Sequence, residues 1–459
     1  MKIEIEIETA VAGKFSAVKL CYQNTSGENK KVDLYIDFQP LHDFCHDTKS
    51  LRFDFFLFSA IVYGVDNLIN RKMYSLDGWT RELEVIFPVK HLTSWQGHEE
   101  TIEDVLSFLT GDDWTISFRQ LENKVLFKEK NRRWTKYIPS FRKSDIEAVS
   151  LFSGGLDSLL GVIEQLEQLN DSKKILFVSH FDSNSRGPNS DQRTLLKYLD
   201  AQYQNKIYWV QSTITISRKD NDGLKVRVEN SYRSRSLLFI GVALLLFTSH
   251  VPTSELIIPE NGTISLNHPL TKSRMSSLST RTTHPFVIKH LETLLKNLGI
   301  ITKLSNPYAF KTKGEMVKEC GNPKVLQGIY KESVSCGKRG HNSSWDEENR
   351  GKTHHCGMCM PCIYRRAALH QKKWDSQIYG VDILNISVVS RGNDFPALFD
   401  YLNTPLSKET IKRNLVVYGS LPLENLDNYA EVVIRSRKEI LSWLKHKGNA
   451  CVKKLAGIK

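Results

Sequence analysis

Two groups of residues have the types and spacing to do chemistry. The first is Ser153-Gly154-Gly155-Leu156-Asp157-Ser158. It follows the apolar run Val149-Ser150-Leu151-Phe152, which reads as a buried strand. It precedes Leu159, Leu160, Val162, Ile163, Leu166 and Leu169, which are spaced as one helix face. A strand, a Gly-Gly turn and a helix start present free backbone N–H groups and two hydroxyls at a positive helix end, which is an anion site. A serine N-cap on a glycine turn is the plainer alternative. The second group is Cys336 and, after nineteen residues, Cys356-Gly357-Met358-Cys359-Met360-Pro361-Cys362. Two C-x-x-C steps sharing a middle cysteine, plus one distant cysteine, supply four thiolates for tetrahedral Zn²⁺. Such a set is coordinatively closed, so the metal is expected to be structural. A redox C-x-x-C or an iron–sulfur cluster is the competing reading, and His341, His354 and His355 are near enough in sequence to substitute.

The details of the loop select among phosphate-binding turns. It lacks the Lys-Ser/Thr ending of G-x-x-x-x-G-K-[ST], and its adjacent glycines do not fit G-x-G-x-x-G. S-G-G-x-D-S resembles the PP-loop of the ATP pyrophosphatases. That resemblance implies an enzyme that splits ATP between the α- and β-phosphates, holds pyrophosphate in the loop and transfers AMP to a substrate oxygen. Gly154 and Gly155 would let the backbone approach the phosphates. Ser153 and Ser158 would donate hydrogen bonds, and Asp157 would hold Mg²⁺ or order the loop.

The rest of the chain bounds these readings. With 459 residues it is expected to form two or three domains, and 40% hydrophobic with 25% charged residues is ordinary for a soluble protein. The longest apolar run, Leu237 to Phe247, is too short to span a bilayer, and the start Met1-Lys2-Ile3-Glu4-Ile5-Glu6 alternates like a strand instead of reading as a signal peptide. A cytoplasmic protein with no membrane partner is expected. Of eight cysteines, four crowd into 336–362, the pattern of a metal site and not of a disulfide framework. The net charge of +12 suits a nucleotide enzyme, a nucleic-acid binder or a protein with an acidic partner, and cannot choose among them.

Residues 1–143 read as a separate α+β domain, with strands near 18–22, 32–38, 84–89 and 114–119 and helices near 53–70 and 101–109. His42, His46, His91 and His98 are spaced too irregularly for a ligand set. The basic segment Lys124–Arg133, with Trp134, could meet a phosphate backbone, although a solvated hairpin is the commoner outcome. From Ile146 strands and helices alternate, which implies a parallel sheet with helices on both faces. His180-Phe181-Asp182 falls at the carboxyl end of its second strand, the edge where open α/β sheets bind ligands. Arg233-Ser234-Arg235-Ser236 leads into the apolar helix, Glu260-Asn261-Gly262 makes a turn after the fourth strand, and 263–283 is a Ser/Thr/Lys/Arg-rich loop. Thr312 is placed to cap a helix and Lys313 to neutralise phosphate. Residues 376–459 read as a mainly helical extension, used for packing or docking.

The order of these pieces carries a family resemblance over about 146–370. Ser153–Ser158, Arg235-Ser236 before an apolar helix, Pro307 to Lys313, the four cysteines and then Arg365 resemble 7-cyano-7-deazaguanine synthase, the QueC family. The extra residues at both ends, the missing Asp-Cys-Arg motif and the wider first cysteine spacing are similar to the QueC-like proteins of bacterial anti-phage operons, those of the Qat system above all. The resemblance implies an open α/β sheet of the PP-loop (adenine nucleotide alpha hydrolase-like) type over 144–375, using ATP, Mg²⁺ and Zn²⁺. It implies a nucleotide site of Ser153, Gly154, Gly155, Leu156, Asp157, Ser158, His180, Arg235 and Lys313. Ser153, Asp157, Ser158, Arg235 and Lys313 would serve catalysis, and Arg365 and Arg366 would face the nucleotide. The implied substrate is a carboxylate such as 7-carboxy-7-deazaguanine, with a protein partner from the same defence operon. A tRNA-modifying PP-loop enzyme, with Cys320 as its stray candidate thiol, and a non-catalytic ATP sensor are the other readings. Nucleic acid is not the favoured partner.

Overall fold

The computed structural model describes residues 1–7, 16–75, 77–122, 142–185, 187–229, 231, 233–247, 251, 253–270, 281, 283–339, 342–384, 394–419 and 421–458. The basic segment 124–134, His341 and most of the polar loop (271–280 and Thr282) lie outside the described residues.

Ten strands form one sheet among the described residues: β1 Lys2–Ile7, β2 Ser16–Gln23, β3 Asn29–Ile36, β4 Glu82–Val89, β5 Asp113–Gln120, β6 Ile146–Leu151, β7 Lys174–Phe181, β8 Ile207–Asp220, β9 Glu255–Ile257 and β10 Lys303–Ser305. Their order is β10-β9-β6-β7-β8-β3-β2-β1-β4-β5. The half from β10 to β8 is parallel throughout. β3 joins β8 antiparallel, β2 joins β3 and β1 antiparallel, and β4 and β5 continue parallel from β1. The structure is thus α/β with a mostly parallel sheet and a helical carboxyl-terminal region. The strands before residue 143, read from sequence as a separate unit, extend the same sheet beyond β8.

Side-chain alternation explains the layers. In β7, Leu176 and Val178 enter one core while Ile175 and Phe177 enter the other, so both faces are buried, as a parallel sheet requires. On the first face the helix Leu51–Leu68 packs against the helix Arg235–Leu246. The latter is apolar on every side from Leu237 onwards and is correspondingly buried all round. The second face is covered by Leu156–Gln168, Pro188–Gln202, Lys313–Lys318 and Pro323–Ile329. Helix Leu426–Lys447 lies outside these, against Met360–His370 and Lys313–Lys318.

The strand order places the candidate site. The chain runs outward from β6 through β7 to β8, then returns to lay β9 on the other side of β6. Connections therefore leave in opposite directions at β6/β9, which opens the crevice where doubly wound sheets bind ligands. Ser153–Ser158 follows β6, and Glu260-Asn261 follows β9.

Candidate functional site

After β6 the chain turns through Gly154, whose φ of +85° is left-handed backbone that glycine adopts without strain. A Cβ at Gly154 would come within 3.2 Å of Gln192 Cγ. Gly155 then starts the helix Leu156–Gln168 in extended conformation, with no side chain capping it. Two hydroxyls meet the first free amides instead: Gly155 N–H points at Ser153 Oγ at 3.3 Å, and Leu156 N–H at Ser335 Oγ at 3.2 Å. Ser158 Oγ donates to the Gly155 carbonyl at 3.0 Å and lies 3.2 Å from Ser153 Oγ. These long contacts leave the loop amides able to exchange hydroxyls for the oxygens of an anion. Buried Gln192 steadies the turn by donating to the carbonyls of Ser153 and His180, each at 3.2 Å.

Asp157 is the hub of the charged part. Lys313 Nζ lies 2.7 Å from both of its carboxylate oxygens, and Asn261 Nδ2 donates to Oδ2 at 2.9 Å. Lys313 is delivered by a capping box: Thr312 accepts the Glu315 N–H at 3.1 Å, and Glu315 accepts the Thr312 N–H at 2.8 Å. Glu260 completes the group. Desolvation and then the adjacent Asp157 carboxylate hold its carboxyl well above the usual range, with Lys313 opposing. Asp157 and Glu260 are the carboxyl groups here that could hold a divalent cation such as Mg²⁺.

The cysteine group converges from two segments. The Sγ atoms of Cys336, Cys356, Cys359 and Cys362 all lie within 4.8 Å of one another, with the Cys336–Cys359 and Cys356–Cys362 pairs at 4.0 and 3.9 Å. Zn–S bonds of about 2.3 Å in a tetrahedron put sulfurs about 3.8 Å apart, so the set fits a metal such as zinc. Backbone N–H groups of Lys338 and Cys356 point at Cys336 Sγ, and those of Met358 and Cys359 at Cys356 Sγ, all at 3.3–3.4 Å. Gly357, at φ +79°, brings its backbone against Val381, whose carbonyl oxygen would lie 2.3 Å from a Cβ there. This knuckle adjoins the Ser153–Ser158 loop: Val334 N–H donates to the Gly154 carbonyl at 3.0 Å, and Arg339 pairs with Asp191 at the head of the next helix.

Ser153, Gly154, Gly155, Leu156, Asp157, Ser158 and Lys313 are thus brought together, and the four cysteines likewise. His180 is not. Its ring is buried beneath the loop against Tyr63 and Phe239, and Nε2 donates to the Ile214 carbonyl at 3.0 Å. Burial, then nearby Arg235, lower its pKa to about 3, so only its backbone carbonyl serves the loop, through Gln192. Arg235 opens its helix with the guanidinium 5.3 Å from the Phe239 ring centre. Arg365 does not face the crevice as the resemblance implies. It is fully buried and donates to Ser333 Oγ, the Tyr330 carbonyl and Gln377 Oε1, bracing the turn that leads to Ser335. Arg366 is turned away too, onto Asp375, Asp382 and the rings of Tyr379 and Trp443. Cys320 is buried, and desolvation pushes its thiol up to about 11, which keeps it protonated at neutral pH. Among the amino-terminal histidines, His91 pairs with buried Asp54 at 2.8 Å, a structural contact.

Sequence reasoning missed Glu260, Asn261, Gln192 and Ser335 as members of the site. For Glu260 and Asn261 the available signal was their position after a parallel strand. Ser335 had none beyond its place beside Cys336. The chain matches no protein-family model and no curated protein sequence.

Proposed function

We propose that this protein adenylates a carboxylate with ATP, in the manner of PP-loop ATP pyrophosphatases. The observation that carries the reading is the loop at the β6/β9 crevice whose amides meet only hydroxyls at 3.2–3.3 Å, with Lys313 and two carboxyl groups beside it. By the QueC-like resemblance the carboxylate is that of 7-carboxy-7-deazaguanine and the setting is cytoplasmic bacterial anti-phage defence of the Qat type. The fit to a triphosphate rests on loop N–H groups held only by long contacts to hydroxyls. Asp157 and Glu260 would hold Mg²⁺, which supplies charge neutralisation when bound.

A carboxylate oxygen forms a bond to the α-phosphorus as the α–β anhydride bond breaks, and pyrophosphate leaves with the bonding electrons. Gly155 and Leu156 N–H, the Ser153 and Ser158 hydroxyls and Lys313 neutralise charge growing on the leaving group, a preorganised electrostatic contribution that needs no rearrangement during reaction. Glu260, whose carboxyl burial and Asp157 hold well above the usual range, would ionise more readily as the crevice gains a cation. An amine then attacks the acyl carbon, AMP leaves and the amine loses a proton, giving an amide. The acceptor is ammonia, with a nitrile after a second activation, or an amine of a partner protein. The buried, protonated thiol of Cys320 gives no support to a thiolating tRNA enzyme.

The test is mass spectrometry of the protein incubated with ATP–Mg²⁺, 7-carboxy-7-deazaguanine and ammonia, with and without candidate partner proteins. A deazaguanine amide, nitrile or protein adduct formed together with AMP is expected. ATP consumption indifferent to the carboxylate would contradict the substrate class, and ATP bound without turnover would make the protein a sensor.

A further inference from the structure

The helix Leu426–Lys447, for which the sequence offers only packing or docking, reaches the first turn of the Lys313 helix. Glu439 Oε1 accepts a hydrogen bond from Thr312 Oγ1. Gly314 lies so close that a Cβ there would be 2.4 Å from Oε1 and 2.7 Å from Oε2 of Glu439. One helical turn earlier, Arg435 Nε pairs with Glu315 Oε1 at 2.6 Å, and its Nη2 donates to the Phe310 carbonyl at 2.7 Å. Both members of the capping box, Thr312 and Glu315, are therefore gripped from the same helix. Between them Lys313 extends away to Asp157, with Nζ 2.7 Å from each carboxylate oxygen.

We infer that Glu439 is a positioning residue for Lys313, so that the carboxyl-terminal extension sets where the lysine ammonium stands against the loop. The inference deepens the adenylation reading, since it concerns the same lysine, but it is tested apart from it. The charged groups facing Glu439 are Glu315, which repels it, and Arg435, which attracts it. Burial, with Glu315 adding to it and Thr312 opposing, pushes Glu439 up to about 7. Because burial outweighs the hydrogen bonds from Thr312 and Gly314, ionisation above that pH costs the closed arrangement, so the grip on the turn is firmest with Glu439 protonated and loosens as pH rises.

The experiment is acetylation of lysines on the full-length chain, read residue by residue by mass spectrometry. Lys313 is expected to be protected in the wild type and to label about tenfold faster in Glu439→Ala, through local opening of its turn. Lys30, half-buried on β3 and paired with Asp220 and Asp222, should be unaffected. Unchanged labelling of Lys313 would overturn the inference. Should Glu439→Ala also expose Lys30, Glu439→Gln decides. It preserves the shape and is expected to abolish the loss of Lys313 protection that the wild type shows as pH rises from about 6 to 8. Identical pH profiles for the two proteins would overturn the inference. Pyrophosphate release from the same wild-type sample is a separate readout: protected Lys313 without release would sink adenylation and leave the positioning role standing.

Discussion

Lys313 and Asp157 are nearly buried, with 4% and 12% of their side chains exposed, so each depends on the other for its charge. Glu260 makes the two losses unequal. In Asp157→Asn, Lys313 retains a carboxylate in Glu260, which can ionise once its neighbour is neutral. That variant is expected to stay folded and to release no pyrophosphate. In Lys313→Ala two adjacent carboxyls lose their cation, and removing one partner of a buried pair costs about 3–5 kcal/mol. Urea unfolding should therefore rank wild type above Asp157→Asn and Asp157→Asn above Lys313→Ala. Equal stability of Lys313→Ala and wild type would contradict the described pairing. Glu439 supplies a pH test. Its folded-state pKa is raised, so the stability tied to its protonated form is present below about pH 4.5 and is lost as pH rises towards about 7. Glu439→Gln should melt at the same temperature as wild type near pH 4 and higher at pH 8. No difference at pH 8 would mean that the carboxyl is solvated.

At the scale of elements, spacing between helix and strand fixes the site. Gly161 lets the Leu156–Gln168 helix sit on Pro259, since a Cβ there would fall 2.4 Å from Pro259 Cβ. That contact controls the distance between the Asp157 turn and the Glu260 turn. Gly161→Ala is expected to lose about 1–3 kcal/mol by overpacking and to weaken ATP binding. Denaturation and calorimetric titration read the two effects, and wild-type values in both would refute this role for the glycine. The same scale explains what the sequence disclosed. The loop and the C-x-x-C steps are local, because a few adjacent residues carry their geometry, and Thr312 announces its cap three residues before Glu315. Glu260, Ser335 and Glu439 come from 103, 179 and 127 residues away from the residues they serve. No periodicity encodes such meetings. Arg365 misled for a related reason: its motif position is local, but the direction of its side chain is set by Tyr330, Ser333 and Gln377.

The whole molecule is organised by one sheet and by buried charges that join the helices on one of its faces. The join of β3 to β8 was illegible in sequence because the paired residues are about 180 positions apart and each strand alone reads as either edge or centre. Arg81 is fully buried between Asp66 and Asp112, at 2.7 and 2.6 Å, and Asp66 also receives the Ser234 hydroxyl at 2.7 Å. Asp66 thus ties the amino-terminal segment to the start of the helix Arg235–Leu246. Asp66→Ala should destabilise the entire chain by about 3–5 kcal/mol in one cooperative transition. A separate early transition of residues 1–143 would contradict the shared core. The knuckle acts at the same range. Cys359→Ser is expected to lose bound zinc in elemental analysis and, with it, the anchoring of Val334 and Ser335 on the loop, seen as new proteolytic cleavage near residue 335. A metal-free variant that resists protease as the wild type does would show that the metal holds nothing in place.

The central claim is that Ser153–Ser158 directs cleavage of ATP between its α- and β-phosphates. The most direct measurement follows α-labelled ATP with Mg²⁺ and the carboxylate on wild type and on Ser153→Ala, resolving AMP from ADP. The account expects AMP and pyrophosphate from the wild type, with loss of both in the variant at an unchanged melting temperature. ADP and phosphate as products, or AMP formed equally by the variant, would contradict it.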